Sequence, residues 1–246
     1  MIREKTVFIF GAGLSCEYGF PTNRQLRDIV TSVITEQKTL LLKRNIRDET
    51  LILFERDIKT GVFNTIDALL KQKDSEAYRD VARNVLALAL IPYKESNVSE
   101  GKFDDNCFYR FLFTKMVRDS NKDTFLNNQV IFITFNYDRS FEFFMRDALE
   151  VQWNLPKHEL KQILSNLNLI YLHGKLGLHT LENDNYGRES NQQSDHINLL
   201  LTSNQIKLVV DIENTTAQYD KAHKAIASAR NIYFLGFGFD EECLFP

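Results

Sequence analysis

The sequence predicts an α/β fold: a doubly wound, mostly parallel sheet with a large helical insertion. Two observations carry this. Four short runs rich in Val, Ile, Phe and Tyr are apolar throughout rather than alternating, as strands buried on both faces are. Between them the apolar residues recur at helical spacing, and strand–helix–strand repetition yields a parallel sheet with right-handed crossovers. The length of 246 residues suits one domain over 1–246, with the insertion at about 26–127.

The first strand, Thr6 to Phe10, stops at Gly11. A helix is expected to begin near Thr22 to Arg24, where the insertion opens. Inside it, Asn64-Thr-Ile-Asp67 reads as a helix start, and Val81, Ala82, Val85, Leu86 and Ala89 form one stripe ending before Pro92. Cys107, Phe108, Phe111, Leu112, Lys115 and Met116 repeat that spacing as a second core-facing stripe. The second strand, Val130 to Phe135, ends at Asn136, and helices follow over Phe141 to Leu149 and Pro156 to Leu164. A third run, Leu169 to Leu172, stops at His173-Gly174. The polar segment from Leu181 to Asp195 reads as a loop near the carboxyl edge of the sheet. A helix over Thr216 to Arg230, with Ala222, Ala225, Ile226 and Ala229 on one face, leads to the last strand, Asn231 to Leu235. Asp240-Glu241-Glu242 should open another helix, so a C-terminal truncation of the fold is expected.

Composition narrows the function classes. Lys and Arg number 30 against 33 Asp and Glu, a net charge of −3, and no run of five like charges occurs. Nucleic-acid binding by counterion release therefore has no support. No membrane span and no signal peptide are legible, and Cys16, Cys107 and Cys243 are widely spaced and odd in number. A cytoplasmic protein with reduced thiols is the expectation.

The glycine loop is the first chemical signal. Gly11-Ala12-Gly13-Leu14-Ser15 follows a strand and precedes a helix, where glycines let the backbone approach a pyrophosphate at the positive end of a helix dipole. Cys16 stands at the third glycine position of G-x-G-x-x-G, and no acidic residue closes a second strand about 20 residues on, which disfavours a hydride-transfer enzyme. The Walker pattern is also absent. By themselves Gly11 and Gly13 read more readily as a tight strand-to-helix turn.

The other strand ends add polar groups where open α/β sheets bind ligands. Asn136 and Asp138 follow the second strand, and His173 follows the third. An imidazole beside a glycine suits a general base, because its ordinary pKa lies near 6.5 and the glycine admits a substrate closely. In isolation, Asn136-Tyr137-Asp138 also reads as an Asx turn and His173 as a core histidine.

Together, G-A-G-L-S-x-x-x-G-x-P from Gly11 to Pro21, T-x-N-Y-D from Thr134 to Asp138, His173-Gly174 and G-F-G-F-D from Gly236 to Asp240 resemble the sirtuin catalytic core. The likeness is to the sirtuin-like NAD hydrolase domains of bacterial antiphage defence proteins. It implies a Rossmann-like, sirtuin-like fold and NAD+ as substrate. By resemblance, Gly11, Ala12, Gly13 and Ser15 hold the diphosphate and adjacent ribose, and Pro21 shapes the nicotinamide side. Asn136 orients the ribose or the attacking water, with Thr134 in the same motif. Asp138 contacts the carboxamide, His173 with Gly174 serves the ribose hydroxyls as base, and Gly236 and Gly238 border the adenosine half.

Departures from the deacylating sirtuins shape the expected activity. Those enzymes carry a structural zinc on two C-x-x-C pairs, and this chain has no C-x-x-C, so no metal is expected. The glycine loop continues Pro21-Thr22-Asn23 instead of the aspartate, phenylalanine and arginine of deacylases. Cleavage of NAD+ to nicotinamide and ADP-ribose is the remaining reading, and the resemblance implies that a homo-oligomer or an activating partner protein switches it on. A non-catalytic NAD or ADP-ribose sensor, and a zinc-free protein deacylase or ADP-ribosyltransferase, are the alternatives. Trp153, His158, His196 and His223 read as packing or solvated side chains.

Overall fold

The computed structural model describes residues 1–63, 65–93, 107–178 and 196–238. Asn64, the 181–195 segment, Asp240 with its expected helix, and Cys243 lie outside the described residues. The strands are β1 (Thr6–Phe10), β2 (Val130–Thr134), β3 (Leu169–Tyr171) and β4 (Asn231–Leu235), paired all parallel in the order β3-β2-β1-β4. The chain steps outward from β1 to β3 and then returns to the other side of β1. Strand order therefore reverses between β1 and β4, the place where such sheets open a crevice at their carboxyl ends. Register brings those ends level, with Phe10 paired to both Thr134 and Leu235 and Thr134 to Tyr171.

Between β1 and β2 run α1 (Ala12–Ser15), a 3₁₀ turn at Cys16–Tyr18, α2 (Asn23–Glu36), α3 (Lys38–Lys43), α4 (Asp48–Lys59), α5 (Ile66–Gln72), α6 (Glu76–Leu90) and α7 (Phe108–Val117). The helices α8 (Ser140–Trp153) and α9 (Lys157–Ser165) join β2 to β3, and α10 (His196–Ser203) and α11 (Ile212–Ser228) join β3 to β4. The start of α2 follows from a capping box: Thr22 Oγ1 accepts from Gln25 N–H while Gln25 Oε1 accepts from Thr22 N–H. Thr65 caps α5 in the same way, accepting from Ala68 N–H at 3.1 Å.

Alternation along the strands divides the core. Phe8, Phe10, Val130 and Phe132 point into a large cluster built with α2 to α9. Val7, Ile9 and Ile133 point to the opposite face, where Ala222 and Ala225 of α11 cover them. Aromatic rings stack through the larger core, with Phe132 5.8 Å from Phe8 and 4.6 Å from Phe141 between centroids. Among the described residues, no helix is long and apolar enough to cross a membrane.

Two expectations are corrected. The stripe proposed for α7 is rotated: Tyr109, Leu112, Phe113 and Met116 are buried, whereas Phe111 is 59% exposed and Lys115 is also outside. The aromatic members Tyr109 and Phe113 win the inner face because they meet Phe141 and Phe144 of α8. Burial on both faces holds for β1 but not for the edge strands: β3 is only half-buried throughout, and in β4 Ile232, Tyr233 and Phe234 are 40%, 50% and 47% exposed. Among the described residues β4 is an edge strand, with one neighbour instead of two.

Candidate functional site

A cleft of about 570 Å³ opens at the switch point, a size typical of small-molecule sites. Gly11, Ala12, Gly13, Ser15 and Pro21 from the loop after β1 line it, together with Asn136 and Asp138 after β2, His173 after β3, and Gly236 and Gly238 after β4. Four segments far apart in sequence thus meet in one cavity. Thr134 and Gly174 do not line it. Thr134 is buried at the end of β2, where its Oγ1 accepts from Asn136 N–H at 3.0 Å and so fixes the strand-end turn. Gly174 has φ +71°, and a Cβ there would stand 1.9 Å from the Gln205 carbonyl oxygen.

The glycines have a structural task besides any ligand. Gly11 N–H donates to Leu235 O at 2.9 Å and Gly13 N–H to Gly236 O at 2.8 Å, so the two loops are laced backbone to backbone. A Cβ on Gly11 would lie 2.6 Å from Gly236 O, and one on Gly236 (φ +60°) 2.0 Å from Leu14 N. Both glycine amides are therefore committed to this lacing; they are not turned toward a phosphate.

Behind the glycine loop lies a buried polar network. Ser15 Oγ donates to Asp138 Oδ2 at 2.6 Å and accepts from Asn136 Nδ2 at 2.9 Å. Asn136 Nδ2 also donates to Gly11 O at 2.9 Å. Asp138 Oδ1 accepts from the Ser140 amide at 3.0 Å and from its hydroxyl, and Ser140 Oγ in turn lies 3.2 Å from Tyr109 OH. Such satisfaction is what burial of a carboxylate demands, and its place at the start of α8 adds the favourable helix dipole. Burial and the nearby Asp138 charge hold the Tyr109 hydroxyl well above its ordinary pKa. Asn136 thus spends both amide hydrogens inside the protein, leaving Oδ1 to serve a ligand.

His173 sits half-buried at the opposite wall, its ring centroid 5.7 Å from that of Phe135 and 6.2 Å from that of Tyr137. Burial lowers its proton affinity, and the carboxylate of Asp67 pulls the other way. Asp67 lies in the first turn of α5 and lines the same cleft; burial raises its pKa, and the His173 charge opposes that rise. Phe20, Leu26, Phe135, Phe234 and Phe237 supply apolar walls, with Phe135 and Phe237 edge to face at 5.1 Å.

Asp67 was not legible as a site residue. Its position in T-I-D is already accounted for by the preference of carboxylates for a helix N-terminus, and nothing local says that this turn shares a cleft with His173, 106 residues later. No family, curated protein or solved structure matches the chain.

Proposed function

We propose that the chain is an NAD+ hydrolase, cleaving NAD+ to nicotinamide and ADP-ribose in the cleft between the ends of β1 and β4. The observation that carries the reading is the convergence of an amide, Asn136, and an imidazole, His173, on a cleft walled by two glycine loops. Nicotinamide is a cationic leaving group, so its bond to the ribose C1′ breaks through an oxocarbenium-like state that needs positioning more than acid. In this reading Asn136 Oδ1 accepts from the water or a ribose hydroxyl, and His173, its imidazole kept largely neutral by burial, takes the proton. Asp138 acts here through Ser15, since its oxygens are engaged by Ser15 and Ser140. The sirtuin-like sequence segments support the same assignment and extend it to a helical insertion, a homo-oligomeric or partner-activated state, and a role in antiphage defence by NAD+ depletion.

A second reading is a nucleotide sensor without turnover. The same cleft would hold a nucleotide without a chemical step, with ligand contacts left to groups other than the Gly11 and Gly13 amides, which are bonded to Leu235 and Gly236. One experiment separates the two: incubate the purified chain with NAD+ and quantify nicotinamide and ADP-ribose by chromatography, alongside Asn136→Ala and His173→Ala. The hydrolase releases both products, and each substitution lowers release by about 10²-fold or more, the usual worth of a positioned base. Calorimetric binding of NAD+ without release means a sensor or an effector lacking its activating part; release unaffected by both substitutions removes this cleft from the reaction.

A further inference from the structure

Among the described residues the cleft has two carboxylates, Asp67 and Asp138, and they are differently placed. Asp138 has both oxygens occupied by Ser15 and Ser140. Asp67 has no hydrogen-bond or ion-pair partner among the described residues, yet it lines the same cleft as His173, and the charge of each group favours that of the other. It comes from α5, in the helices between β1 and β2, whereas His173 follows β3.

We propose that Asp67 is a positioning residue for His173, forming with it an acid–imidazole pair across the cleft. The inference rests on the hydrolase reading for its catalytic consequence, although not for the pair itself. A carboxylate facing one ring nitrogen fixes the tautomer and leaves the other nitrogen to take a proton from the substrate side. It also stabilises the imidazolium formed in that step. Both groups line one cleft, and catalytic hydrogen bonds of this type tighten when substrate binds.

The arrangement makes α5 part of the active site and gives the helical region a chemical task. The pair also has a defined electrostatic setting. Lys71 follows one turn on along α5 and lowers the Asp67 pKa, Asp138 lines the same cleft, and Lys175 and Lys207 lie in the segments beside His173, with Lys175 engaged by Glu142 at 3.3 Å.

The test is a titration of the His173 ring nitrogens by long-range ¹H–¹⁵N NMR in the intact chain, assigned by loss of the signals in His173→Gln, and repeated in Asp67→Asn and Asp67→Glu. Asp67→Asn is expected to move the His173 midpoint to lower pH, because the neutral amide no longer favours the imidazolium; Asp67→Glu should restore much of it. In the NAD+ assay, Asp67→Asn should reduce kcat about 10- to 100-fold with KM little changed and shift the acid limb of the profile the same way. An unchanged His173 midpoint in folded Asp67→Asn overturns the pair. Because the titration needs no turnover, absence of nicotinamide release from the unaltered chain would defeat the hydrolase reading while leaving the pair separately decided.

Discussion

At the scale of single residues, backbone proximity governs the glycine loops. Gly236 combines φ +60° with a Cβ position 2.0 Å from Leu14 N, whereas Gly19 has φ +79° and nothing within 4 Å. An added methyl at Gly19 incurs only the left-handed backbone penalty of about 1–2 kcal/mol. At Gly236 it must also force the β1 and β4 loops apart. Urea unfolding should therefore show Gly236→Ala to be more destabilising than Gly19→Ala by at least about 2 kcal/mol, within the range of strong backbone and packing defects. Equal losses would mean that the lacing of the two loops contributes little to stability.

These residues also show what the sequence could and could not reveal. The glycine pattern G-A-G-L-S correctly marks a strand-to-helix loop at a sheet end, because a strand followed by small residues has few other placements. The same letters cannot tell whether a glycine is there for a ligand or for another stretch of backbone. That depends on Gly236, which is 225 residues away from Gly11 and meets it only in the folded sheet. Asn136, Asp138 and His173 were legible for the same reason as the loop: each lies in the segment just past a strand end. Asp67 follows no strand and gave no such signal.

At the scale of elements, α5 owes its position to a junction of three helices. Asp57 of α4 is buried and accepts from Lys73 Nζ at 2.8 Å, Tyr78 OH at 2.7 Å and Arg56 at 3.3 Å, linking α4 to the end of α5 and to α6. Burial pushes this carboxyl up, but the combined hydrogen bonds from Lys73, Tyr78 and Arg56 outweigh it and leave the pKa below its ordinary value. A carboxyl that titrates lower in the folded than in the unfolded chain stabilises the fold above the unfolded pKa, about 3.9, and that contribution fades as the pH falls through the folded value. The urea midpoint should drop as the pH is lowered below about 4, and Asp57→Asn should flatten that limb while costing about 1–3 kcal/mol at neutral pH. A variant as stable as the parent at pH 7 would remove Asp57 as the anchor of α5. The helix faces were only partly legible: the α6 stripe is buried as the spacing predicts, while on α7 competing aromatic residues turned the buried face toward Tyr109 and Phe113.

At the scale of the whole molecule, a four-stranded parallel sheet with its order reversing between β1 and β4 brings four chain segments to one cleft. The strand runs were readable almost to the residue because continuous apolar β-branched and aromatic runs bounded by glycine or polar residues have few other solutions. Strand order was less accessible, since it is decided by how α11 packs beneath β1 and not by any local pattern. The account stands or falls on chemistry in that cleft. The most direct measurement is a ¹H NMR time course of NAD+ with the intact chain and, in parallel, with His173→Ala. Hydrolysis in this cleft means growth of free nicotinamide signals with the chain and at least about 10²-fold slower growth with the variant. Persistence of intact NAD+ in both samples, or equal release in both, would contradict it.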